Sequence, residues 1–219
     1  MSPLGTSVIF DLDGVLIDSR AAITRCLNRA LAENGLPERP PEELYRFIGP
    51  PQSGAFAELV GEPADSPRVR ACILRYRACY AETAVSNTEV FPGIPEALAA
   101  LAGEHRLGVA TSKPRPFAES MLRDLGLRDR FAAVAGPELD APDTKTVTLG
   151  NALAALGDTR AVMVGDRSFD MVAAGAHGLP GIGVAWGIGS RTELADAGAR
   201  AIVAAPRELP GTVADLLGP

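Results

Sequence analysis

The stretch VIFDLDGVLIDS, residues 8–19, decides how the chain begins to fold. Val8, Ile9 and Phe10 extend an apolar, partly β-branched run that starts at Thr6, and Gly14 brings a turn signal. This pattern predicts a short buried strand over 6–11. The strand ends in Asp11, and Asp13 stands two positions on. Two carboxylates this close to a buried strand repel each other and lose hydration. The arrangement calls for compensating positive charge.

Beyond residue 19 the period changes. Ala22, Ile23, Cys26, Leu27, Ala30 and Leu31 form one helical stripe over 19–34, and Gly35 stops it. Pro37, Pro40 and Pro41 punctuate a short helix over 42–48, which ends at Gly49-Pro50-Pro51. A helix resumes over 52–60. Ser66 caps a longer one with Pro67 in its first position, running to about Val85. No strand is expected in this block. From Phe91 on, strands (107–111, 131–135, 161–165, 179–185, 201–203) alternate with helices (94–102, 114–125, 145–156, 168–177, 192–197, 209–217). Alternation of this kind builds a parallel sheet covered on both faces. The expected fold class is therefore α/β, a doubly wound parallel sheet with a Rossmann-like core. The core comprises 1–17 and 87–219, and residues 18–86 form an inserted α-helical cap domain.

The 219 residues suffice for such a core with an insert, and 47 % hydrophobic content excludes wholesale disorder. A net charge of −6 argues against a general nucleic-acid binder. No apolar run approaches the roughly 18–20 residues of a membrane span. The opening MSPLGTS lacks the features of a secretory leader, so a soluble, cytoplasmic protein is expected. Cys26, Cys72 and Cys79 are odd in number and form no CxxC, so buried thiols are expected rather than a disulfide framework or a zinc site. Lys113 and Lys145 are the two lysines among 21 basic residues. A site that keeps Lys in such a chain asks for a compact ammonium that the planar guanidinium does not replace.

Ligands of open parallel sheets bind beyond the carboxyl ends of the strands. Asp11, Asp13 and Gly14 follow the first strand, and Thr111, Ser112 and Lys113 end or follow the second. Asp166 follows the fourth, Asp170 comes one helical turn later, and Lys145 opens the preceding helix. Asp11, Asp13, Asp166 and Asp170 suit a hard divalent cation with oxygen ligands, such as Mg²⁺. Lys145 offsets the charge of Asp11. The Thr111 hydroxyl and Ser112 N–H can bind phosphoryl oxygens, with Gly14 and Lys113 as further phosphate ligands. A carboxylate placed like Asp11 can attack phosphorus, and Asp13 can serve as acid and base.

DLDGVLIDS, ATSKP, Lys145 and VGDRSFD resemble, in order, the four motifs of the haloacid-dehalogenase-like phosphohydrolases. FIGPP in the insert and GAHGLPGIGVAWGIGS after the fourth motif are similar to the phosphoglycolate-phosphatase-like branch with a helical cap. The resemblance implies Asp11 as nucleophile, Asp13 as acid/base, Thr111 as phosphate ligand and Lys145 as charge anchor. It also implies Mg²⁺ on Asp11, the Asp13 main-chain carbonyl and Asp166, with Asp170 acting directly or through water. Gly49 and Gln52 in the cap are expected to contact the leaving group of a small phosphorylated metabolite, with the cap closing over it.

A phosphomutase of the same superfamily, similar to β-phosphoglucomutase, would use the same motifs. Carbon–halogen chemistry needs no acid at position 13. A Schiff-base phosphonate hydrolase would want a Lys in the cap, which has none. A phospho-aspartate signalling receiver lacks such an insert, and a scaffold would not need every motif residue.

Overall fold

A computed structural model describes residues 5–139, 143–157 and 160–218. It divides into two compact units, Met1–Ile17 with Val90–Pro219, and Asp18–Glu89.

The first unit holds β1 (Thr6–Phe10), β4 (Arg106–Ala110), β5 (Ala133–Ala135), β6 (Arg160–Gly165), β7 (Gly181–Val184) and β8 (Ala201–Val203). Its helices are α5 (Ile94–Leu101), α6 (Arg115–Asp124), α7 (Lys145–Leu156), α8 (Ser168–Ala176), α9 (Arg191–Asp196) and α10 (Leu209–Leu217). The six strands order as β5-β4-β1-β6-β7-β8, and every pairing is parallel. This is an α/β, Rossmann-like sheet. β1 occupies the centre because Val8, Ile9 and Phe10 are apolar on both faces, and all three are fully buried. Val8 pairs with Leu107 on one side and Val162 on the other. Strand order runs outward one way from β1 through β4 and the other way from β6. That reversal opens a crevice at the carboxyl ends of β1 and β6.

Leu149 and Ala152 of α7 and Ala173 and Ala174 of α8 pack on one face of the sheet, against Ile9 and Met163. The alanines let both helices approach closely. Right-handed crossovers assign α5 and α6 to the opposite face, where they meet β4 and β5, and α10 packs beside α5 there and meets β6. β5 is shorter than the expected 131–135. Phe131 closes a 3₁₀ turn over Arg128–Arg130 by donating its N–H to Arg128, and its ring meets Phe10 edge-on at 6.3 Å. β7 is likewise shorter than 179–185, because Leu179 N–H donates to Ala174 O and finishes α8 instead.

The second unit contains α1 (Arg20–Glu33), α2 (Pro41–Leu44), α3 (Gln52–Val60) and α4 (Pro67–Thr83). The chain enters through β2 (Ile17–Asp18) and leaves through β3 (Glu89–Val90), and these strands pair with each other. Neither strand was expected, since two residues carry no readable alternation. Ser66 Oγ accepts Val69 N–H at 3.1 Å, and Pro67 follows at a position that needs no N–H partner. Phe56, Tyr76 and Tyr80 form an aromatic row, with centroids 6.0 and 5.7 Å apart.

One expectation is overturned here. Cys26 on α1 and Cys79 on α4 form a disulfide, with Cα atoms 5.5 Å apart, and only Cys72 keeps a thiol. Cysteine spacing in sequence could not reveal this, because the pairing depends on which stripes of α1 and α4 face each other. The bond closes a loop with a sequence separation of 53. Loops of that size contribute roughly 3–4 kcal/mol by restricting the unfolded chain. Protein kept without reductant should therefore show one alkylatable thiol on denaturation, and three after reduction. Cys26→Ser should lower thermal stability, measured by calorimetry, by a similar amount.

Candidate active site

The crevice between β1 and β6 gathers the charged residues. Asp11 follows β1 directly and still donates its N–H to Val164 O, which fixes its backbone to the sheet. Its Oδ1 accepts from Leu12 N–H at 2.7 Å and faces Lys145 Nζ at 2.8 Å. Lys145 is the first residue of α7, whose N-cap Thr144 accepts Val147 N–H. From there Nζ also reaches Asp170 Oδ1 at 2.9 Å and Ala110 O at 3.1 Å. The ammonium thus donates a hydrogen bond to the end of β4 and forms ion pairs with Asp11 and Asp170.

Asp166 follows β6 and is fully buried. Its Oδ2 accepts Ile188 N–H at 2.7 Å, and its main-chain oxygen accepts Gly189 N–H at 3.1 Å. Its Oδ1 is buried with no hydrogen-bond partner among the described residues. Asp170, also fully buried, accepts Arg167 N–H on Oδ2 at 3.1 Å. Asp11, Asp166 and Asp170 each offer an oxygen, and these oxygens lie within 4.8 Å of one another. Three hard oxygen donors around an orphaned carboxylate oxygen fit a small divalent cation.

Asp13 lies beside this cluster and pairs with Lys113 Nζ at 2.6 Å, with both side chains largely buried. Lys113 was expected on phosphate; here it holds the Asp13 carboxylate. Thr111 is buried, and its Oγ1 accepts Lys113 N–H at 3.2 Å. The Ser112 N–H has no acceptor among the described residues. Gly14 gives its N–H to Ile17 O at 2.9 Å, so in this structure its amide is engaged within the turn. Gly14 adopts φ +83°, and a Cβ there would collide with the Asp166 carboxylate. Gly49 and Gln52 belong to the second unit. Gly49 bends the loop with φ +102°, and Gln52 opens α3 and accepts from Arg77 Nε at 3.4 Å.

Burial sets the electrostatics. It raises the Asp11 carboxyl from its ordinary 3.8 to about 6; Lys145 pulls it down, while Asp170 and Asp13 push it up. Asp166 rises well above the usual range, again by burial first, then by the charges of Asp170 and Asp11, with Ile188 N–H opposing. Burial alone would lower Lys145, but the carboxylates of Asp11 and Asp170 hold its ammonium well above its ordinary value.

Residues 8–184 match the family model described as haloacid dehalogenase-like hydrolase. The chain belongs to that family. This haloacid dehalogenase-like hydrolase is 39 % identical over 192 residues to a 5′-nucleotidase of Pseudomonas aeruginosa, covering 86 % of each chain. It is 35 % identical over 208 residues to a phosphoglycolate phosphatase of Rhodospirillum rubrum, covering 90 % of this chain and 86 % of that protein. A crystal structure of a predicted phosphatase from Clostridium acetobutylicum superposes with a TM-score of 0.90 at 33 % identity, covering 96 % of this hydrolase and 99 % of that chain.

Sequence reasoning passed over the residues that hold Asp166 in place. A Cβ at Gly187 would stand inside the Asp166 side chain, and one at Gly189 would stand on the Asp166 carbonyl oxygen. The signal was present as G-x-G after a strand, but its partner lies some twenty residues back at a neighbouring strand end, and local pattern does not report that.

Three outcomes are expected. Gly187→Ala should lower kcat/KM at least about tenfold with circular dichroism preserved, since the added Cβ pushes the Asp166 carboxylate out of the buried cluster. Gly211→Ala in α10, where a Cβ meets open space, should leave kcat/KM unchanged. In EDTA, the folded protein keeps the Asp11 proton up to about pH 6, whereas the unfolded chain releases it near 3.8. Stability therefore falls as pH rises through that window. The melting temperature of the wild type, relative to Asp11→Asn, should drop between pH 4 and pH 7.

Proposed function

We propose that this hydrolase is a Mg²⁺-dependent phosphatase that cleaves a small phosphomonoester through an aspartyl-phosphate on Asp11. Within its family the chain is a phosphoric monoester hydrolase, in keeping with its relatives. The supporting observation is the buried cluster at the switch point: Asp11 and Asp170 share the Lys145 ammonium, Asp166 lies beside them, and Asp166 Oδ1 and Asp170 Oδ1 are buried without a hydrogen-bond partner among the described residues. Asp11 and Asp166 would hold the ion, together with the Asp13 main-chain carbonyl. Asp170, with its oxygens on Lys145 and Arg167 N–H, would act through water. When bound, Mg²⁺ neutralises phosphoryl charge and lets the carboxylates stay ionised together.

The chain's own residues carry the steps. Lys145 and Leu12 N–H hold Asp11 Oδ1, which leaves Oδ2 to attack phosphorus. As the new O–P bond forms, the bond to the leaving oxygen breaks, and Asp13, released from Lys113 and entering the step in its protonated form, gives that oxygen its proton. Asp13 then takes a proton from water as the water oxygen attacks phosphorus, which frees Asp11 and releases inorganic phosphate. Thr111 Oγ1 and Ser112 N–H bind the phosphoryl oxygens. An incoming dianion competes with Asp13 for the Lys113 ammonium, which loosens Asp13 for proton transfer. Positioning and charge neutralisation supply most of the acceleration in such transfers.

Substrates of the phosphoglycolate and nucleoside-monophosphate size fit this reading, given what the relatives are named for. In this reading residues 18–86 serve as the cap, and Gly49 and Gln52 are the cap residues proposed for the leaving group. No described helix is long and apolar enough to cross a membrane. The reading includes a cytoplasmic setting, where a reducing environment would hold Cys26 and Cys79 as thiols.

Purified protein should release phosphate from p-nitrophenyl phosphate with Mg²⁺ and stop in EDTA. Asp11→Asn should lose at least about a thousandfold in kcat with an unchanged circular dichroism spectrum, as removing a covalent nucleophile does. Retention of wild-type turnover in that variant would overturn the assignment of the nucleophile.

A further inference from the structure

Ser190-Arg191-Thr192-Glu193 has the spacing of a capping box. In that motif the Glu side chain turns back to the backbone N–H of the cap residue. Only half of the box forms. Ser190 Oγ accepts Glu193 N–H at 3.0 Å. The Glu193 carboxylate leaves its own helix instead and accepts Ser168 N–H at 2.9 Å and Arg167 Nε at 3.0 Å. Both donors sit at the start of α8, the helix that carries Asp170, and directly after Asp166. Burial pushes the Glu193 carboxyl up, but the hydrogen bonds from Ser168 and Arg167 and the charge of Arg167 outweigh this and leave it below its usual value. Glu193 therefore stays ionised on these partners at neutral pH.

The segment between the two elements is gripped on both sides. Ile188 and Gly189 donate to Asp166, and Glu193 accepts from the two residues that follow Asp166. Residues 187–189 have no regular structure of their own to hold them there. Without the Glu193 contact, the grip on Asp166 would depend on the two backbone bonds alone.

We propose that Glu193 is a positioning residue for the metal site: by fastening residues 187–193 to the start of α8, it keeps Ile188 N–H on Asp166 Oδ2 and so keeps Oδ1 turned toward the ion. This rests on the Mg²⁺ reading given under Proposed function. Glu193 touches neither the ion nor the substrate; it acts through Ser168, Arg167 and the glycine-containing segment. Partners at this remove from a metal typically govern 10–100-fold in affinity. A purely structural helix cap would change stability and leave the ion's dissociation constant alone.

Trp186 supplies a probe. It is the chain's one tryptophan, it precedes Gly187, and its Nε1 donates to Val15 O at 3.1 Å. Mg²⁺ titrations followed by Trp186 emission and by calorimetry should give a dissociation constant at least about tenfold weaker in Glu193→Ala than in the wild type. Glu193→Gln, which keeps one acceptor oxygen, should fall between them. At saturating Mg²⁺, kcat should stay within about threefold of the wild type, so that the loss lies in the metal requirement. If Glu193→Ala does not fold, Glu193→Gln carries the test, with a weakening of at least about threefold expected. A folded variant whose dissociation constant stays within about twofold of the wild type overturns the role of Glu193, provided Asp166→Ala abolishes binding. If the wild type and Asp166→Ala bind Mg²⁺ alike, the metal site itself is misassigned, and the proposed function falls together with this inference.

Discussion

The ammonium of Lys145 is the charge on which the crevice depends. It contacts Asp11, Asp170 and the carbonyl of Ala110, and so ties the ends of β1 and β4 to the first turn of α8. Removing one partner from a buried ion pair leaves a charge that neither water nor protein solvates, which is far more damaging than losing a surface pair. Lys113 and Asp13 balance each other beside it. With all three remaining carboxylates ionised, they and the one ammonium sum to two negative charges, which a divalent cation of the kind the oxygen donors suit would offset. An arginine at position 145 would present a planar fork in place of a compact cation with protons in three directions.

The sheet supplies the precision. Asp11, Thr111 and Asp166 directly follow strands and Asp170 sits in the first turn of a helix, and neighbouring strands hold two of these backbones: Asp11 by Val164, Thr111 by Ala135. Small residues supply the closeness. Gly14 and Gly187 leave room for the Asp166 side chain from two directions, which lets a carboxylate be enclosed by backbone on both sides. Dense enclosure raises the proton affinity of the acids, and this same feature makes a bound cation count for more than it would in water.

Much of this was legible in the sequence for physical reasons. The helix at 145–156 and the strand at 201–203 matched to the residue, because capping residues, glycine stops and apolar periodicity agree there. The gathering of Asp11, Lys145 and Asp166 followed from strand ends sharing one edge of a parallel sheet. What escaped was mostly long-range. The Cys26–Cys79 bond depends on the facing stripes of α1 and α4. The pairing of Lys113 with Asp13 depends on two adjacent strand ends a hundred positions apart. The spacing of Ser190 and Glu193 is that of a capping box, which points Glu193 at its own helix and gives no hint of Arg167 and Ser168. The strands β2 and β3 were too short to leave any pattern at all.

The placement of β1 has a consequence for biosynthesis. The innermost strand is translated first, yet its two neighbours, β4 and β6, are encoded roughly a hundred and a hundred and fifty residues later. Until they emerge from the ribosome, Val8, Ile9 and Phe10 have no sheet to join, while the intervening helices are already complete and can pack among themselves. The nascent chain thus carries an unpaired hydrophobic strand until β4 and β6 emerge, a state that favours chaperone capture or misassembly in that interval.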